Sequence, residues 1–85
     1  MSWIMGRLVR VPDSGKPPRL GIEGQSSLHC GEALEIRVQG HWLRGRVEYD
    51  DRLRWYWTDN QVMVLLRLGM EARQWDGIYG PHGEE

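Results

Sequence analysis

Phenylalanine is absent from this 85-residue chain, lysine and cysteine occur once each, and no apolar stretch approaches 18 residues. Without a long apolar run the chain offers no segment for a membrane-spanning helix. A lone cysteine, Cys30, cannot close an internal disulfide, so the fold has to stand without covalent staples, as suits a reducing cytoplasm. Nor is there a basic leader ahead of an apolar run in "MSWIMGRLVRV", and the expectation is a soluble, unexported, cytoplasmic protein. Large charge of one sign is also missing. Eleven basic residues face 12 acidic ones for a net charge of −1, which argues against a nonspecific polyanion binder that works through a large positive field.

What is present in quantity is arginine, tryptophan and turn chemistry. Ten of the 11 basic residues are arginine, the side chain that forks onto carboxylates and phosphates and stacks on rings. Up to Trp75 the chain holds 11 basic and 9 acidic residues, because Asp76, Glu84 and Glu85 fall in the C-terminal end. Five tryptophans stand at positions 3, 42, 55, 57 and 75. For Trp3 and Trp75 the default is a core role in place of the missing phenylalanine.

Apolar residues alternate in short runs separated by Gly, Pro, Asp and Asn clusters at intervals of about ten, which is the period of strands rather than helices. Candidate strands cover 3–11, 19–23, 33–39, 42–49, 54–58 and 62–66, and 70–75 can close the set. "PDSGKPP", residues 12–18, is turn chemistry. A helix over 62–74 is the one competitor, and Gly69 in its middle would cost about 1 kcal/mol relative to alanine. The pattern predicts an all-β domain over residues 1–79, a small SH3-like partly open barrel of five or six short antiparallel strands, with 80–85 as a flexible tail. At this length there is one domain and one modest core.

Residues 33–49 read as a hairpin whose register is set by parity. Leu34, Ile36 and Val38 must meet Leu43, Gly45 and Val47 on the buried side, so the turn has an even number of residues. A type II′ turn at Gly40 and His41 satisfies this. It sets Glu35 against Arg46, Arg37 against Arg44 and Gln39 against Trp42 on the other face. Two readings of that face stand: a solvated surface neutralised by Glu35 and Glu48, or a seat for an anion or carboxylate flanked by Trp42.

"RLRWYWTD" raises the same question of parity. A four-residue loop over 50–53 turns Tyr56 inward and Trp55 and Trp57 outward, whereas a slip of one residue buries the tryptophans and exposes Tyr56. Transfer energy favours burying the tryptophans. The other case lays Trp42, Trp55 and Trp57 beside Arg37, Arg44 and Arg46 as a cation–π surface.

No residue set amounts to a catalytic or metal signature. His29 and Cys30 are adjacent and point to opposite sides of an extended chain, so neither activates the other. Zinc motifs bring paired ligands at short fixed spacing, and His29, Cys30 and His41 do not. His29 and Cys30 read more simply as a loop anchor with the thiol packed as a small apolar group. Asp50 and Asp51 belong to a turn tip. "GIEGQSS" lacks both the lysine and the setting of a phosphate loop.

The run "SLHCGEALEIRVQGHWLRGRVEYD", followed by "WYW", resembles a family of short proteins of unassigned activity from Gram-positive bacteria, many on plasmids and integrative elements. The pattern is an L-H-C-G-[DE] loop, an E-[IV]-[RK] strand, a glycine turn, a W-[IL] strand ending in R-[IV]-E-Y-D and a W-Y strand. Leu28, His29, Cys30, Gly31, Glu32, Glu35, Gly40, Trp42, Arg46, Glu48, Tyr49, Asp50, Trp55 and Tyr56 carry the likeness. It covers residues 27–58 and implies a small β fold, a loop and hairpin that form one unit, and a bacterial cytoplasmic setting.

Together these features predict a binding module rather than an enzyme, with no cofactor and no metal. Arg37, Trp42, Arg44, Arg46, Trp55 and Trp57 are the expected binding residues. Near-zero net charge puts a protein partner ahead of nucleic acid, with no membrane, and with the chain a monomer or a homodimer through its tryptophans. The competing reading is a thiol enzyme or metal protein centred on His29, Cys30 and Glu32.

Overall fold

The computed structural model describes residues 2–25 and 27–75, so the boundary expected at residue 79 and the tail beyond it lie outside the described residues. Seven strands follow in order: β1 (Trp3–Arg10), β2 (Leu20–Ile22), β3 (Ala33–Val38), β4 (His41–Asp50), β5 (Arg54–Thr58), β6 (Met63–Leu65) and β7 (Glu71–Trp75). They form one antiparallel sheet in the order β2-β1-β7-β3-β4-β5-β6, curled into a half-barrel that is compatible with a small partly open barrel. No helix occurs among the described residues, and none is long and apolar enough to cross a membrane.

One face of the sheet holds the core. Leu8, Ile22, Leu34, Ile36, Val47, Trp57 and Ala72 are buried on it, and Leu28 reaches the same cluster from the loop between β2 and β3. That loop is pinned to β4, since Gly31 donates its N–H to the Val47 carbonyl and Val47 donates back to Glu32. The expected loop anchor is therefore corrected. Leu28 is the buried residue, while His29 and Cys30 are both exposed.

The hairpin turn lies one residue earlier than expected. Val38 pairs with His41, so the two turn residues are Gln39 and Gly40, with φ of 51° and 83°. Two positive φ values define a type I′ turn, whose twist matches that of the strands it joins. Both registers have even loops, so the core face is the same. The partners on the reverse face change: Arg37 meets Trp42 and Glu35 meets Arg44, which removes the expected opposition of Arg37 and Arg44. Gln39 is a poor choice for a left-handed conformation. Gln39→Asn is expected to stabilise the protein by about 0.5 kcal/mol, a fraction of the left-handed penalty for an L-residue, read as a rise of a few degrees in the thermal midpoint.

Between β4 and β5, Asp50 pairs with Arg54, leaving a three-residue loop, and Arg54 takes the left-handed position with φ 67°. Asp50 Oδ1 accepts the N–H groups of Arg52 and Leu53. This odd loop puts Trp57 opposite Val47 in the core and Tyr56 opposite Glu48 on the reverse face, as transfer energy favours. At the β5–β6 turn Asp59 plays a similar part. Its carboxyl is held below the ordinary carboxylate value, chiefly because Oδ1 accepts the Val62 N–H and then that of Gln61.

The helical alternative over 62–74 is replaced by β6, a turn and β7. Gly69 sits in that turn with φ 93° and donates its N–H to the Leu8 carbonyl.

Candidate functional site

Alternation along the strands places Trp3, Met5 and Arg7 of β1 on the reverse face of the sheet, away from Ile4, Gly6 and Leu8. Their partners on β7 are Trp75, Arg73 and Glu71. β3 adds Glu35 and Arg37, and β4 adds Trp42, Arg44 and Arg46. Arg73 lies at the centre of this face. Its guanidinium sits 4.0 Å from the Trp3 ring centroid and 4.3 Å from that of Trp42, held between two indoles. Glu35 fixes it there, accepting from Arg73 Nε at 2.9 Å with Nη2 at 2.7 Å from the same oxygen. Glu35 is buried, so this pair is partly desolvated, and rings and carboxylate together leave Arg73 little freedom.

The stack extends in both directions. Trp75 meets Trp3 edge to face at 5.4 Å, and the Arg37 guanidinium lies 5.7 Å from the Trp42 ring. Glu71 pairs loosely with Arg37 at 3.6 Å and with Arg7 at 3.7 Å. Arg46 forms a closer pair with Glu48 at 2.7 Å. A shallow hollow of about 380 Å³ opens beside Trp42, between Met5, Arg7, Arg37 and Glu71. Met5 is exposed at its rim. The result is a face of indoles, guanidiniums and one methionine whose charges are largely matched from within.

Four of the six expected binding residues, Arg37, Trp42, Arg44 and Arg46, share this face. The other two do not. Trp57 is fully buried, its indole Nε1 donating to the Leu34 carbonyl at 3.0 Å, and so has no surface to offer a partner. Trp55 lies on the core side of the sheet, edge to face with Tyr49 at 4.9 Å, and its Nε1 donates to the Pro18 carbonyl. Trp3 and Trp75, expected in the core, take the places of these two on the reverse face. Arg73 was missed altogether. The alternation of Trp3, Met5 and Arg7 against Ile4, Gly6 and Leu8 carried the signal, but pairing β1 with β7 needs the fold.

The competing His29, Cys30 and Glu32 centre forms a tight turn. Glu32 Oε1 accepts the His29 N–H, the Glu32 N–H bonds back to the His29 carbonyl, and Gly31 adopts φ 88°. Among the described residues no group of three or more His, Cys, Asp or Glu side chains is arranged to hold a metal ion. Cys30 is exposed, and among the described residues no base is hydrogen-bonded to it. Iodoacetamide is therefore expected to label it in the native protein at about the rate of the unfolded chain, and labelling many-fold faster would revive a thiol enzyme.

A family model described as a domain of unknown function (DUF5348) matches residues 6–74, and the chain belongs to that family. The match contains all of the hairpin and most of the reverse face, leaving out Trp3, Met5 and Trp75. No curated protein and no solved structure matches the chain significantly.

Proposed function

We propose that this chain is a non-catalytic binding module that docks a protein partner on the reverse face of its sheet, through Trp42, Arg37, Arg44 and Arg46 around the Arg73 stack. The observation that carries this reading is the guanidinium of Arg73 held between Trp3 and Trp42 by a buried carboxylate. Ordering aromatic and arginine side chains is a large part of the entropic cost of association, and here the ordering precedes binding. The face has the composition of interface centres, where tryptophan, arginine and methionine are enriched. Its guanidiniums at positions 7, 37, 46 and 73 are already paired with Glu71, Glu48 and Glu35, so it suits a mixed protein surface better than a polyanion. A cytoplasmic setting in Gram-positive bacteria or their mobile elements goes with the hairpin motif and the unpaired cysteine.

Site-directed photocrosslinking tests the reading. A photoreactive residue at Met5, Arg37 or Arg44 is expected to capture the same protein from the producing organism's lysate, with none captured from Asp51 in the β4–β5 loop. Equal capture from all four positions would contradict it, and so would crosslinks only between copies of the chain, which would make this face a homodimer interface.

A further inference from the structure

The cations without carboxylate partners are concentrated elsewhere on the molecule. Where the 12–18 segment and β2 close against the β4–β5 hairpin, two hollows of about 310 and 640 Å³ adjoin, sharing Trp55, Lys16 and Pro17 in their walls. Arg19 completes one and Arg10 and Arg54 the other. No aspartate or glutamate among the described residues lines either hollow. Among the described residues, none of the four cations Arg10, Lys16, Arg19 and Arg54 lies within 4 Å of a carboxylate, in contrast to the paired Arg7, Arg37, Arg46 and Arg73 of the reverse face. Each hollow falls within the range of about 300–1,000 Å³ found for ligand sites.

Trp55 is built into this seam as a fixed ring. Its Nε1 is held by the Pro18 carbonyl at 3.0 Å, Tyr49 packs edge to face against it, and the Arg19 guanidinium lies 6.0 Å from its centroid. Arg54 is steadied by the Tyr49 hydroxyl, which accepts from its Nη1 at 3.2 Å. A clamped indole that lines both hollows, with cations free of carboxylate partners in each, matches a ligand that alternates planar rings with anions.

We infer that this seam is a second binding site, distinct from the reverse face, that takes single-stranded nucleic acid, stacking a base on Trp55 and placing phosphates against Arg10, Lys16, Arg19 and Arg54. Single strands expose the base faces that a duplex hides, and stacking on an aromatic ring with cations along the backbone is how such strands are held. An acidic peptide would use the cations and leave the ring without a planar partner. The balanced net charge is no obstacle, because the field that matters is local.

The test is fluorescence anisotropy of a labelled 12-nucleotide oligo(dT) against the whole chain, with tryptophan emission followed in parallel. If all four cations engage phosphate, affinity falls with salt at a logarithmic slope of about −3, or roughly 50-fold between 50 and 200 mM. The Arg10→Gln/Lys16→Gln double variant, altered at two exposed positions, is expected to keep its circular dichroism and to halve that slope. Trp55→Phe should abolish most of the tryptophan quenching while keeping part of the affinity. Arg44→Gln, on the opposite face and also without a carboxylate partner, should leave the oligo(dT) affinity and its salt slope unchanged, whatever it does to docking on the reverse face. Absence of binding at 50 mM salt would overturn the inference, as would equal loss in Arg44→Gln, which marks nonspecific attraction. Tighter binding of poly-glutamate or of duplex DNA would overturn it too. None of these outcomes bears on the photocrosslinking at Met5, so the two sites stand or fall separately.

Discussion

Gly45→Ala is expected to destabilise the protein by about 3 kcal/mol, at the upper end of the usual cost of overpacking a core, and to lower its thermal midpoint by roughly 10–20 °C. Gly45 lies in the middle of β4, opposite Leu34, and faces the core. A Cβ built there would stand 2.5 Å from the Thr58 carbonyl oxygen and 2.5 Å from Cε2 of the Trp57 ring. Neither can withdraw cheaply. Thr58 is backbone in the neighbouring strand, and the Trp57 indole is fully buried and tied to the Leu34 carbonyl. A glycine inside a strand often marks such a close approach. Urea denaturation of the wild type and the variant measures the effect; a loss below 1 kcal/mol would mean that Trp57 does not lie across Gly45. Gly45→Ala combined with Trp57→Leu should cost less than the two changes summed, since one of the two clashes is then relieved.

Glu35→Ala is expected to cost about 3 kcal/mol, the low end of the 3–5 kcal/mol seen when one partner of a buried ion pair is removed. The lower figure follows from exposure, because the Arg73 side chain keeps 20% of its surface while that of Glu35 keeps 7%. With the carboxylate gone, a guanidinium remains between two indoles without its counter-charge. Replacing both residues together, Glu35→Leu with Arg73→Leu, should recover most of the stability, since a well-packed apolar pair often equals a buried ionic one. If the proposed docking face is right, the same double variant should also lose its protein partner, because it removes the charged centre of the face. If Glu35→Ala unfolds at the same urea concentration as the wild type, the stack is a surface feature of little consequence and its preorganisation is refuted.

Local alternation made much of the fold legible. Parity leaves the facing of Trp57 open, and Trp57, expected among the binding residues, is buried. The strands, with a seventh over 70–75 beyond the five or six expected, the even hairpin turn and the break at Gly69 all follow from period, parity and turn residues. The exact turn position did not, because a type II′ turn at Gly40 and His41 and a type I′ turn at Gln39 and Gly40 keep the same residues on the core face. That ambiguity moved every partner on the reverse face, so Arg37 is paired with a tryptophan rather than an arginine. The centre of the candidate site was hidden for a different reason. Arg73 reaches Glu35 and Trp3 through β7 lying between β1 and β3, a pairing of strands far apart in the chain that no local pattern specifies. Composition alone places Trp3 and Trp75 in the core, whereas the sheet has a second half-buried face that holds them.

The proposed docking site for a protein partner is the reverse face, and not the Trp55 seam. It is tested most directly by measuring how much partner is retained from lysate by immobilised wild-type protein, by Trp42→Ala, by Arg37→Ala and by Trp55→Phe, each first shown to be folded. The expected result is retention by wild type and Trp55→Phe, with at least a tenfold loss in Trp42→Ala and a smaller one in Arg37→Ala. Equal retention by all four proteins, or loss confined to Trp55→Phe, would contradict the account.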